Sequence, residues 1–68
     1  MTIELNGERA ELIEGASVGE AVEAAGGARE RRGVAVAVDG EVIPRSAWDR
    51  TSLSEGQRVE VVGAIQGG

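Results

Sequence analysis

One stretch of the chain has the apolar spacing of a short helix of about two turns, and it stands among segments that alternate like strands. Val18, Ala21, Val22 and Ala25 fall at i, i+3, i+4 and i+7 and so form a single stripe. Ser17 precedes the stripe and Glu20 stands three residues after Ser17, the spacing of a capping box in which each side chain accepts from the other's backbone N–H. Glu20 also complements the positive end of the helix dipole. Glu20, Glu23 and Ala24 face water, and Gly26-Gly27 is the predicted C-cap. So short a helix persists only through tertiary contacts. The chain is therefore constrained to a fold in which one helix covers one face of a sheet around a single core.

The strands read in order on either side of that helix. Residues 2–5 alternate with Ile3 and Leu5 on one face, and Asn6-Gly7 is a strong hairpin signal because both positions tolerate positive φ. Residues 8–13 return with Ala10 and Leu12 inward, although Ile13 breaks the alternation and leaves the register open. Residues 28–33 form a polar loop with Arg29, Glu30, Arg31 and Arg32, either a solvated connector or a small basic docking spot. Residues 34–38 are the clearest strand, with valines toward the core and Ala35 and Ala37 pointing away. Asp39-Gly40 turns into a short strand over 41–43, which Pro44 ends. One helical turn over 45–48 and an irregular crossing over 49–57, anchored by Leu53, lead to a last strand over 58–62. Val59 and Val61 share a face of that strand, and Gly63 releases the tail. No internal repeat or linker interrupts the order.

Sixty-eight residues make one small domain, near the lower limit for an independent core. The chain has no Cys and no His, so neither a disulfide nor a soft-metal site is expected to reinforce it. Intrinsic catalysis is not expected either. There is no His, Cys, Lys or Tyr to act as base or nucleophile, and Ser17, Ser46, Ser52 and Ser54 have no base to activate them. No phosphate-binding Gly-x-x-x-x-Gly-Lys loop is present, and no cofactor is expected. Twelve acidic residues against seven arginines, with one aromatic, argue against nucleic-acid binding, which needs clustered cations and stacking platforms. An acidic surface suits a partner with a basic docking face. No signal peptide opens the chain and no run approaches the roughly 18 apolar residues of a membrane span, so a soluble cytoplasmic protein is expected.

The sequence closes on Gly67-Gly68 directly after the apolar stretch over 59–66. Two residues without Cβ make the thinnest backbone possible and reach conformations closed to others. Such an ending can thread a narrow channel and bring its carboxylate up to ATP in another protein's active site. On that reading the chemistry is done on this chain rather than by it.

Together these residues resemble the ThiS family, the small sulfur carriers of thiamine biosynthesis, over the whole chain. The marks are Leu5-Asn6-Gly7, Ser17-Val18, Ala37-Val38-Asp39-Gly40, Val42-Ile43-Pro44-Arg45 with Trp48 three residues on, the segment 56–62, and Ala64-Ile65-Gln66-Gly67-Gly68. The Pro-Arg-x-x-Trp element and the Gln-Gly-Gly ending are the more specific of them, and the length also fits. One departure is Gln57, where the family often has Asp; a position after the glycine of a turn serves turn chemistry. The resemblance implies an α+β, ubiquitin-like β-grasp fold. Its mixed sheet would have four to five strands, with one helix on one face and the last strand central and parallel to the first. Residues 1–63 would be the domain and 64–68 a flexible tail.

The resemblance also implies a chemistry. An adenylating enzyme of the ThiF type would use Mg·ATP to convert the Gly68 carboxylate to an acyl-adenylate. Sulfur from a desulfurase or rhodanese-like donor would then replace AMP, leaving a thiocarboxylate for a thiazole synthase of the ThiG type. Gly68 is the residue modified, Gly67 lets the backbone approach closely, and Ile65 and Gln66 either make the last contacts before the channel or make none.

The sheet face away from the helix is either a docking patch for a partner or a harmless scatter of small residues. Ala35, Ala37 and Val62 lie on it, apolar residues where a two-layer fold leaves one face open to water. Trp48 reads as a core or rim anchor, and Arg45 either pairs with a carboxylate or contacts a partner. Two other readings stay open: a carrier of the same fold serving molybdopterin or cysteine synthesis, and a β-grasp interaction module whose final glycines have no role.

Overall fold

A computed structural model describes residues 1–27 and 33–63. Strands β1 (Thr2–Leu5) and β2 (Glu8–Glu11) pair antiparallel across a two-residue turn, with Leu5 opposite Glu8. Asn6 and Gly7 both have positive φ, 52° and 84°, the conformation whose twist matches a hairpin. The return strand is shorter than the expected 8–13. The Leu12 N–H donates to the Met1 carbonyl, and Ile13 lies beyond that last rung, 72% exposed.

Helix α1 (Val18–Val22) starts as its sequence dictates. The Glu20 N–H donates to Ser17 Oγ and the Ser17 N–H to Glu20 Oε1, both at 3.2 Å. Val18, Ala21 and Val22 are fully buried. Two expectations fail at the other end. Ala25 is exposed, and no glycine cap closes an α-helix at Gly26-Gly27. The winding widens instead to a π-type turn over Glu23–Gly27. A wider turn advances each residue by a smaller angle, which rotates Ala25 out of the stripe. Among the described residues of this segment, Ala24 and Ala25 are exposed and hold no tighter winding on the sheet, and two glycines weaken it further.

Strands β3 (Val34–Val38) and β4 (Glu41–Val42) form the second hairpin, turning at Asp39 and Gly40 with φ of 51° and 85°. β4 is one residue shorter than expected, although the Ile43 N–H still donates to the Val36 carbonyl. A 3₁₀ helix over Arg45–Arg50 exceeds the single turn read from 45–48, and it packs against α1. The crossing after it is less irregular than its sequence suggests. Ser17 and Ser52 form a short antiparallel bridge, with Val18 N–H donating to Thr51 O and Leu53 N–H to Ala16 O. This bridge fixes the start of α1 and seats Leu53 in the core.

Strand β5 (Arg58–Gly63) completes a mixed sheet of order β2-β1-β5-β3-β4. It is parallel to β1 and antiparallel to β3, so it lies in the middle. Ile3, Val36, Val59 and the α1 valines form one core with Trp48 and Leu53. This is the β-grasp architecture, a five-stranded sheet with its helix on one face.

Candidate functional site

The central strand β5 is held at both ends by the side chains that open the two hairpin turns. At its start, Asp39 Oδ1 accepts from the Arg58 N–H at 3.0 Å, while the Asp39 N–H donates to the Arg58 carbonyl at 2.8 Å. Gln57 braces that carboxylate, its Nε2 donating to Asp39 Oδ2 and its Oε1 accepting from the Ser54 N–H. Gln57 thus serves turn chemistry, in keeping with its position. An Asp there would set a second carboxylate, with no N–H to donate, toward Asp39. Toward its end, β5 receives Asn6 Oδ1, which accepts from the Val61 N–H at 2.8 Å.

The sheet face away from the helix divides in two. Toward β1 and β2 it is charged, with Glu4 opposite Arg9 and also opposite Arg58, whose Nε lies 3.7 Å from Glu4 Oε2. Toward β3 and β4 it is apolar. Ala35 pairs directly with Val62, and Ala37 pairs with Val42 on one side and Glu60 on the other. Val62 is 60% exposed and Val42 70%. The three residues expected on this face, Ala35, Ala37 and Val62, are therefore neighbours on it. Val42 joins them without a signal in the sequence, because a two-residue strand carries too little alternation to reveal its face.

Ile65, Gln66, Gly67 and Gly68 lie outside the described residues, as do Arg29, Glu30, Arg31 and Arg32. β5 ends at Gly63, five residues before Gly68. Trp48 is a core residue, its Nε1 donating to the Ile43 carbonyl at 2.9 Å, and Arg45 is exposed at the start of the 3₁₀ helix.

The ThiS family model matches residues 3–68, which takes in both the sheet and the final glycines. The chain belongs to the ThiS family. A crystal structure of a thiamine biosynthesis protein (ThiS) from Geobacter metallireducens is 30% identical, with a TM-score of 0.79 over the full length of both chains. A solution structure of a thiamine biosynthesis protein from the same organism is 29% identical, with a TM-score of 0.74, covering all of this chain and 88% of the other. No functionally curated protein matches. Among the described residues no helix is long and apolar enough to cross a membrane.

Proposed function

We propose that this chain is the sulfur carrier for the thiazole ring of thiamine, with the Gly68 carboxylate as the group that is activated and loaded. The observation that carries the reading is the family match running through residue 68, so that Gly67 and Gly68 belong to the matched pattern. Residues 1–63 serve as the domain that partners grip, and 64–68 as the segment they receive.

A carboxylate is a poor acyl donor because its oxygen leaves badly. A ThiF-type adenylating enzyme removes that obstacle by transferring AMP from Mg·ATP to Gly68, releasing pyrophosphate. A persulfide sulfur from a desulfurase or rhodanese-like donor displaces AMP. Cleavage of the resulting sulfur–sulfur bond by a thiol leaves the C-terminal thiocarboxylate. A ThiG-type thiazole synthase then takes the sulfur. Throughout, the chain is substrate and its partners catalyse, in the cytoplasm where those enzymes would meet it. Gly68 has no side chain to shield the acyl carbon, and Gly67 permits close approach of its backbone to a channel wall.

The test is an intact mass after incubation with the host's adenylating enzyme, Mg·ATP and a sulfide source. A gain equal to replacing one oxygen by sulfur is expected, and it should vanish when Gly68 is deleted. An unchanged mass with a demonstrably active enzyme would defeat the reading.

The apolar half of the open sheet face is proposed as the surface that docks the adenylating enzyme. Val62→Asp would place a charge among Ala35, Ala37 and Val42, and is expected to weaken that binding about tenfold, a change of roughly 1.4 kcal/mol. Because Val62 is 60% exposed, stability should fall by no more than about 1 kcal/mol. A titration giving unchanged affinity would remove this face from the docking surface.

A further inference from the structure

We propose that Asn6 is a positioning residue for the C-terminal segment, fixing where β5 parts from β1; the inference rests on the carrier reading above. The parallel ladder between the two strands advances by alternate residues of β5. The Glu4 N–H donates to the Gln57 carbonyl and the Asn6 N–H to the Val59 carbonyl, both at 2.9 Å. The next rung would require the Asn6 carbonyl to accept from the Val61 N–H. At Asn6, however, φ is 52° and the backbone turns away into the hairpin. The side chain takes over, and Oδ1 accepts from the Val61 N–H at 2.8 Å. The ladder thereby gains one rung after its backbone has left.

That rung lies two residues before the end of β5 at Gly63. On the other side β3 pairs with β5 as far as Val34 opposite Gly63. Among the described residues, Val61 is thus the last position at which β5 is bonded toward the β1 side, so Asn6 helps to set the root of the five residues that reach to Gly68. Five residues span at most about 17 Å when extended. A root that slips by even one residue changes that reach appreciably, so its placement matters to any partner that must receive the terminal carboxylate. Other residue types would complete the turn: glycine adopts positive φ freely, but only a short side chain with an acceptor oxygen also supplies the rung.

Two substitutions separate the roles. Asn6→Gly keeps the turn and removes the acceptor, whereas Asn6→Asp keeps both. Amide hydrogen exchange on the full-length chain reads the rung directly, and steady-state thiocarboxylate formation by the adenylating enzyme reads its consequence. In Asn6→Gly the Val61 amide should exchange about three- to tenfold faster relative to the Val36 and Val59 amides, the loss of one net hydrogen bond. The KM for the carrier should rise by a similar factor, about three- to tenfold, with kcat unchanged. Asn6→Asp should restore both readings to within about twofold of the unaltered chain. A purely structural role would accelerate all three amides together and leave KM alone. Either that pattern, or an Asn6→Asp variant that behaves like Asn6→Gly, would overturn the inference. Failure of the unaltered chain to be loaded would instead defeat the carrier reading, which the exchange measurement does not touch.

Discussion

Trp48→Ala is expected to leave the chain largely unfolded in dilute buffer. Trp48 is the largest of the fully buried side chains, 1% exposed, and it lies on the 3₁₀ helix that packs against α1. Truncating a buried Trp removes its transfer free energy and leaves a cavity that a small core cannot close, a loss of about 3–5 kcal/mol. The Ile43 carbonyl also loses the indole N–H that it accepts at 2.9 Å. At roughly 0.05–0.15 kcal/mol per residue, a chain of 68 residues has roughly 3–10 kcal/mol in total. The loss is thus comparable with the whole. Urea titration followed by far-ultraviolet circular dichroism measures it without relying on the lost fluorophore. Trp48→Phe keeps a large ring and forfeits the N–H, so it should stay folded with stability lowered by about 1–3 kcal/mol. A cooperative transition for Trp48→Ala near that of the unaltered chain would show that the core does not depend on this side chain.

Where structure depends on neighbouring residues alone, it is legible in the sequence. The Ser17–Glu20 box and the Asn6-Gly7 and Asp39-Gly40 turns each need only a few consecutive positions, and each forms as its residues dictate. Ala25 shows the limit of that logic. Its spacing matches the stripe, but spacing assumes uniform α winding, and the winding widens after Val22. Pairing between distant segments carries no local signal. The bridge from Ser17 to Ser52, the bond from Asn6 to Val61 and the seat of Val42 beside Ala37 all depend on where another segment arrives. Family resemblance, not alternation, gives the central, parallel placement of β5, because alternation is the same on an edge strand as on a central one. At the candidate site, the face bearing Ala35, Ala37 and Val62 is readable because period-two alternation assigns faces. The roles of Ile65, Gln66, Gly67 and Gly68 rest on residue type and family, since those residues lie outside the described part of the chain.

Extending the chain by one alanine after Gly68 is expected to abolish thiocarboxylate formation while leaving the urea midpoint unchanged. The extension lies beyond β5, which ends at Gly63, and so touches no rung of the sheet. It moves the terminal carboxylate outward by about 3.3–3.6 Å. A displacement of about 1 Å can already cost about a hundredfold in a reaction that depends on aligned approach. It also sets a Cβ beside the acyl carbon, where Gly68 has none. Extension by a glycine separates the two effects. If reach alone matters, both extended chains fail equally; if bulk matters as well, the glycine version keeps measurable activity and the alanine version does not. Loading of the alanine-extended chain at the unaltered rate would sink the view that Gly68 must be terminal. A β-grasp interaction module predicts something else, loading of neither chain and partner binding unchanged by the extension, because its binding face lies on the sheet and its last carboxylate takes part in nothing. Comparing the extended and unaltered chains therefore separates a protein that is chemically modified at its end from one that is only held by its surface.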